Sequence, residues 1–275
     1  MALQASGTVA EALGAATEAL AAAGVDTPRL DAELLLCRAT GWDRARIAVE
    51  PALGVEPAAG REFGTMVRRR LRREPVAYIL GSKGFRHIDL AVDRRVLIPR
   101  PESELLVEVA LELRPARVLD VGTGSGAVAL AIAAEIPECE VTATDTSGES
   151  LDLARENAAR LGLSGRVRFL KDSVPEGESF DLVVANLPYV AETDRAMLEP
   201  EVASWEPAGA LFAGADGLDA FRAVIPTLGG AAAVALEVGA GQAEAVAEIA
   251  REAGFGSVEA RRDLSGIERV VTGRR

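Results

Sequence analysis

A helical N-terminal segment followed by a doubly wound α/β sheet is the fold class this sequence predicts, on three observations. Apolar residues recur at helical spacing through the first 73 residues. From Arg114 onward, short apolar strands alternate with helical stretches, the mark of a mostly parallel sheet covered on both faces. One of those strands, ending at Val121, runs straight into the glycines at 122, 124 and 126 and then into a further helix.

Taken in order, Val9, Leu13, Ala16 and Leu20 share one helical stripe, Leu30, Leu34 and Cys37 a second, and Phe63, Val67 and Leu71 a third. Gly24, Gly41 and the stretch from Gly54 to Pro57 punctuate them, so residues 1–73 read as a small all-helical domain. Residues 74–102 change character. Pro75, Gly81, Gly84, the alternating run from Phe85 to Leu90 and the pair Pro99 and Pro101 predict a hairpin and a shaped loop connecting two domains. Residues 103–275 form the sheet domain, with strands expected at 117–121, 140–144, 166–170, 180–186 and 231–238 and a terminal pair near 255–262 and 267–272. Ligands of such sheets bind beyond the carboxyl ends of the strands. Gly122 to Gly126 and Asn186 to Tyr189 both fall at such ends.

Composition narrows the class. A chain of 275 residues that is 49% apolar has ample material for a core, and a net charge of −12 argues against a protein that grips phosphate backbones. Cys37 and Cys139 stand alone without metal-ligand spacing, which predicts ordinary buried thiols, a reducing compartment and no metal. The first basic residue is Arg29, after Glu11 and Glu18, which is the wrong charge order for a secretory signal. No apolar run approaches the roughly 18 residues of a membrane span, so a soluble, cytoplasmic, unprocessed protein is expected.

The chemistry concentrates in two places. Gly122, Gly124 and Gly126, with Thr123 and Ser125 between them, permit a tight turn and close approach of a ligand to backbone, and Asp145 ends the next strand where a ribose diol would lie. A packing turn, an NAD site and an S-adenosylmethionine site all share such a loop. The spacing differs from the pyrophosphate fingerprint, and Asp120 just before the loop suits a cationic amino-acid moiety, which favours the methionine-derived cofactor. The second place is Phe180 to Tyr189, an apolar strand whose end presents Asn186, a backbone carbonyl, Pro188 and an aromatic ring together. Singly, Asn186 is a turn residue and Tyr189 a core aromatic; jointly they can hold a planar amide-type nitrogen.

The run from Val118 to Gly126 followed by Asn186-Leu187-Pro188-Tyr189 resembles the class I S-adenosylmethionine-dependent methyltransferases that modify amide or exocyclic amino nitrogens. Leu97 to Glu102, Glu206 to Leu211, Gly214 to Leu218, Leu236 to Gly239 and Asp263 to Gly266 narrow the resemblance to the protein-(glutamine-N5) methyltransferases acting on peptide chain release factors. It covers essentially the whole chain, and Leu187 is the departure, standing where the family signature has proline. The resemblance implies a seven-stranded methyltransferase domain, S-adenosylmethionine as cofactor, and methyl transfer to the glutamine of a Gly-Gly-Gln motif. It also implies recognition of the release factor by the helical domain, with no direct nucleic-acid partner. Asn186, Leu187, Pro188 and Tyr189 would hold and orient the glutamine amide, and Asp172, Ser173 and Asn186 would join the glycine loop and Asp145 around the cofactor.

Arg100 and Glu102 either close over the substrate or cap the helix that starts near Ser103. His87 reads as a strand-surface residue rather than a general base. Arg68, Arg69, Arg70, Arg72 and Arg73 read first as a solvated face at a helix end, and otherwise as a dock for an acidic or RNA-associated partner. Two competing functions remain at this point: an N6-adenine methyltransferase, against which the acidic charge counts, and a catalytically silent binding module, for which Leu187 is the best support.

Overall fold

The computed structural model describes residues 7–275; the first six residues of the 1–73 segment lie outside that range. In chain order the elements are α1 (Val9–Ala22), α2 (Pro28–Thr40), α3 (Arg44–Val49), α4 (Pro57–Arg70), α5 (Val76–Leu80), β1 (Ser82–Phe85), β2 (Ile88–Ala91), α6 (Glu104–Leu113), β3 (Arg117–Val121), α7 (Ala127–Glu135), β4 (Glu140–Asp145), α8 (Gly148–Arg160), β5 (Val167–Lys171) and β6 (Phe180–Ala185). Then follow α9 (Pro200–Trp205), α10 (Asp219–Val224), β7 (Ala231–Glu237), α11 (Ala243–Glu252), β8 (Ser257–Arg262) and β9 (Glu268–Arg274). These form two compact units. One holds the residues up to Gly81 together with Pro200–Trp205; the other holds Ser82–Glu199 and Glu206–Arg275.

The helical unit starts on a capping box, in which the Thr8 hydroxyl accepts from the Glu11 N–H and the Glu11 carboxylate accepts from the Thr8 N–H. Its core joins Val9, Leu13, Leu20, Leu35, Leu36, Phe63 and Val67. On α2 the stripe differs from the sequence expectation: Asp31, Ala32, Leu35 and Leu36 are buried, whereas Leu30 is exposed. Ala32, Leu35 and Leu36 make the apolar stripe, and the acid beside it is neutralised. Asp31 turns inward because Arg70 reaches it, Nε to Oδ2 at 2.7 Å. Arg70 also pairs with Glu201 at 2.7 Å, and Arg73 meets the same carboxylate at 2.6 Å while donating to the carbonyls of Ala23 and Gly24. Arg69 is paired with Glu74 at 2.6 Å. The arginine run is therefore no simple solvated face, since three of its members clasp carboxylates, and Arg70 and Arg73 draw Pro200–Trp205 into the helical unit.

The stretch read as one connector divides at Gly81, with α5 in the helical unit and the hairpin β1–β2 in the sheet unit. His87 is exposed at the hairpin turn. The seven-stranded sheet has the order β5-β4-β3-β6-β7-β9-β8, parallel except at β9, which runs antiparallel to both neighbours. Strands 117–121 and 180–185 are buried along most of their length, as central strands covered on both faces must be. Helix α7 is buried from Ala127 through Ala133, apolar all round and fixed against the sheet, so the glycine turn at its start has a rigid base. The strand order reverses at β3, with β4 on one side and β6 on the other, and Val121 pairs in register with Ala185. Gly122 and Asn186 thus leave the sheet side by side.

Candidate active site

Gly122, Gly124 and Gly126 all have left-handed backbones, φ +75°, +56° and +84°, which L side chains rarely adopt. The Gly122 and Thr123 N–H groups both donate to the Thr144 carbonyl at 2.9 Å, and the Gly124 N–H donates to Asp145 Oδ2 at 2.9 Å. The second Asp145 oxygen accepts from the Ser147 N–H at 2.8 Å. Asp145 thereby ties the glycine loop to the end of β4 and keeps further lone pairs for a ligand hydroxyl. Asn157, buried on α8, bridges the hairpin to the same loop: its oxygen accepts from the Ala91 N–H, and its nitrogen donates to the carbonyls of Ala91 and Ser125.

A cleft of about 480 Å³ opens here, lined by Asp120, Thr123, Gly124, Ser125, Asp145, Asp172, Ser173, Asn186, Leu187 and Pro188. Residues from both motifs therefore share one cavity. Asp172 and Ser173 lie at its edge, where Thr144 Oγ1 donates to the Ser173 carbonyl at 2.7 Å. Four expected residues are placed differently. Gly126 faces Leu130 and Ala154 and is not among the lining residues. Tyr189 sends its hydroxyl to Glu237 Oε1 at 3.5 Å rather than into the cleft. Arg100 is held by Glu206, whose other oxygen accepts the Ile98 N–H at 3.0 Å, and the Glu206 side chain is 1% exposed. Arg100 stands at the N-cap of the short turn Pro101–Ser103 through its backbone alone, its carbonyl accepting the Ser103 N–H at 3.2 Å, and neither it nor Glu102 lines the cleft.

A family model described as the PrmC N-terminal domain matches residues 11–81, and a methyltransferase domain model matches 118–206. The release factor glutamine methyltransferase of Caulobacter vibrioides is 41% identical over 279 residues, covering 97% of this chain and 96% of its own. That of Deinococcus radiodurans is 42% identical over 270 residues, covering 94% and 96%. This chain belongs to the release factor glutamine methyltransferase family. Among solved structures, the hMettl16 catalytic domain shares the fold at TM-score 0.57, with 15% identity over 67% of this chain and 74% of its own. As a member of the release factor glutamine methyltransferases, the chain is an enzyme that uses S-adenosylmethionine.

Sequence reasoning missed the residues that hold the Asn186–Tyr189 loop in place. Gln242 donates from Nε2 to the Tyr189 carbonyl at 2.9 Å and accepts the Gly239 N–H at 3.0 Å. Gly217 is needed because a Cβ there would stand 2.2 Å from the Tyr189 oxygen. Asn186 donates from Nδ2 to Ser103 Oγ at 3.1 Å, and Ser103 donates to Glu237 Oε2 at 2.6 Å. Glu237 lies inside a stretch that resembles the family and Ser103 directly follows one, yet nothing local marks either as part of the site. Leu187 packs into the core alongside Val121 and Leu218, so the residue that departs from the family signature is spent on apolar burial.

Asp120 is 2% exposed, and its Oδ2 accepts from Thr123 Oγ1 at 2.7 Å and from the Ala129 N–H at 3.2 Å. It braces the loop from within. Burial pushes its carboxyl up to about 7 against the pull of those two hydrogen bonds, and Asp145 adds to the rise. A cation in the cleft favours the ionised form, so S-adenosylmethionine affinity is expected to increase as pH rises through about 7, by at most about tenfold per pH unit, with proton release. Calorimetric titration between pH 6 and 8 in buffers of different ionisation enthalpy measures both. The unliganded fold should lose stability as pH climbs from about 4 to about 7, the range in which the folded form keeps a proton that the unfolded chain has released, and should level off above it. Affinity that is flat with pH would separate Asp120 from the cofactor.

Proposed function

We propose that the chain transfers a methyl group to the side-chain amide nitrogen, N5, of the glutamine in the Gly-Gly-Gln motif of peptide chain release factors. The observation that carries this is the shared cleft, in which the Asn186 loop and the glycine loop leave neighbouring strands in register. The donor fits the residues present: a glycine turn with open space at Gly124, the Asp145 carboxylate and the buried Asp120. When bound, S-adenosylmethionine supplies an electrophilic sulfonium methyl.

The protein's own task is set by the nucleophile. An amide nitrogen is weak because its lone pair is delocalised into the carbonyl, so both N–H groups must be accepted while the lone pair is aimed across the amide plane. Asn186 Oδ1, which receives no hydrogen bond among the described residues, accepts one N–H in this reading, and the Leu187 carbonyl accepts the other. Pro188 stiffens the turn through its fixed φ. Catalysis then comes from positioning and from electrostatic support of positive charge developing on nitrogen. The helical unit recognises the release factor, the work is cytoplasmic, and nucleic acid is not a direct partner, in keeping with the net charge of −12.

Incubation with isotopically labelled S-adenosylmethionine and, in separate reactions, a release factor and duplex DNA tests the reading. Mass spectrometry should place the label on the glutamine. Label on adenine and none on protein would overturn it.

A further inference from the structure

We propose that Glu237, acting through Ser103, is the positioning residue that fixes the Asn186 amide with its oxygen toward the cleft. The inference rests on the glutamine-binding role of Asn186 given above. It starts from proton counting. A serine hydroxyl has one proton and two lone pairs, whereas an asparagine amide presents a donor on one side and an acceptor on the other, so whatever meets the amide decides which side faces out.

Ser103 stands between two partners at the start of α6. Its Oγ lies 2.6 Å from Glu237 Oε2 and 3.1 Å from Asn186 Nδ2. An ionised carboxylate only accepts, so the one hydroxyl proton is committed to Glu237. Toward Asn186 the serine then offers only a lone pair, and the amide nitrogen must face it. Oδ1 is left for the cleft, the orientation that an incoming N–H donor requires. Once Glu237 is protonated, it can donate to Ser103 instead. The serine proton is then free to turn to Asn186, the amide can invert, and a donor would face a donor.

The surroundings of Glu237 make this switch accessible. Its residue is 1% exposed at the end of β7, and burial pushes the carboxyl up to about 7. The groups that face it come from three neighbours. Ser103 and Glu102 belong to the turn before α6, Tyr189 to the loop after β6, and Arg269 to β9. Ser103, Tyr189 and Arg269 favour the ionised form, and Glu102 opposes it. Arg269 is itself shared with Asp263 at 3.0 Å, which leaves the Ser103 bond as the closest support of the charge. The site is thus built so that the ionised form, and with it the working amide orientation, dominates above neutrality and is lost as pH falls through about 7.

The test uses the full-length protein and two independent readouts. With a release factor as substrate, Ser103→Ala should lower kcat by about 10- to 100-fold, the scale of a misplaced reacting group, with KM and S-adenosylhomocysteine affinity changed by less than about threefold. Ser103→Thr, which keeps the hydroxyl, should restore most of the rate. Wild-type kcat should fall below pH 7, and Glu237→Gln, whose amide oxygen can still accept from Ser103, should flatten that limb. The second readout needs no turnover: the Asn186 side-chain NH2 pair in a ¹⁵N spectrum, assigned by its loss in Asn186→Ala, should titrate near pH 7 in the wild type and cease to do so in Glu237→Gln. A wild-type kcat in Ser103→Ala, or an Asn186 amide indifferent to Glu237→Gln, overturns the inference. Absence of any transfer to glutamine by the wild type would instead refute the function, and the spectra would still decide the positioning.

Discussion

Replacing Asn186 by alanine is expected to cut methyl transfer to glutamine by about 10²–10³, the usual loss for one preorganised polar contact that acts on the reacting group. Cofactor binding should remain nearly intact. The glycine loop is held by Thr144 and Asp145, and none of the bonds that hold it comes from the Asn186 side chain. Removing the side chain leaves Ser103 able to accept water in place of Nδ2 while its bond to Glu237 persists, so the fold has little reason to change. Single-turnover transfer measured with labelled donor, alongside calorimetric titration with S-adenosylhomocysteine, separates the two effects. A variant that turns over like the wild type would remove Asn186 from the chemistry.

Arg70→Ala should destabilise the helical unit by about 3–5 kcal/mol, the cost of breaking a buried ion pair and stranding its partners. The Arg70 side chain is 7% exposed and pairs with Asp31, also 7% exposed, and with Glu201 at 11%. Arg73 can still neutralise Glu201, but among the described ion pairs no other cation meets Asp31, which would keep only the Thr27 hydroxyl at 2.9 Å. Adding Asp31→Asn should therefore recover part of the loss, because it removes the stranded charge rather than restoring the pair. The chain has two tryptophans, Trp42 and Trp205, and both belong to the helical unit, so their fluorescence during urea unfolding reports that unit without mixing in the sheet. A loss under about 1 kcal/mol would reduce the cluster to an ordinary surface pair.

The fold was legible wherever a local pattern carried it. Strands 117–121, 140–145 and 180–185 are short apolar runs closed by glycine, aspartate or asparagine, and the glycine turn announces itself because no other residue adopts three left-handed positions in five. What stayed illegible was pairing across distance. A run of arginines looks like solvated surface unless its partners are known, and Arg70 finds Asp31 from 39 positions away. Ser103 and Glu237 are 134 positions apart, and each alone is an unremarkable residue at the edge of an element. The partner of Arg100 was hidden for the same reason, since Glu206 is 106 positions further along. The α2 stripe was misassigned because Leu34, Leu35 and Leu36 run together and leave the buried face open, and because the acid beside the true stripe, Asp31, is buried with Arg70.

Pro200–Trp205 gives the helical unit an unusual relation to its own synthesis. Arg73 is made 128 residues before Glu201, so at ribosomal speeds of about 5–20 residues per second roughly 6–25 s pass between the arginine and the carboxylate that it clasps. During that interval the nascent N-terminal helices hold Arg73 without its acid and lack a segment of their final structure. The unit is first to emerge and cannot be first to finish. Any exchange of this domain between relatives must move two separated pieces of gene, the leading one and the codons for 200–205, or the graft arrives without its closing piece.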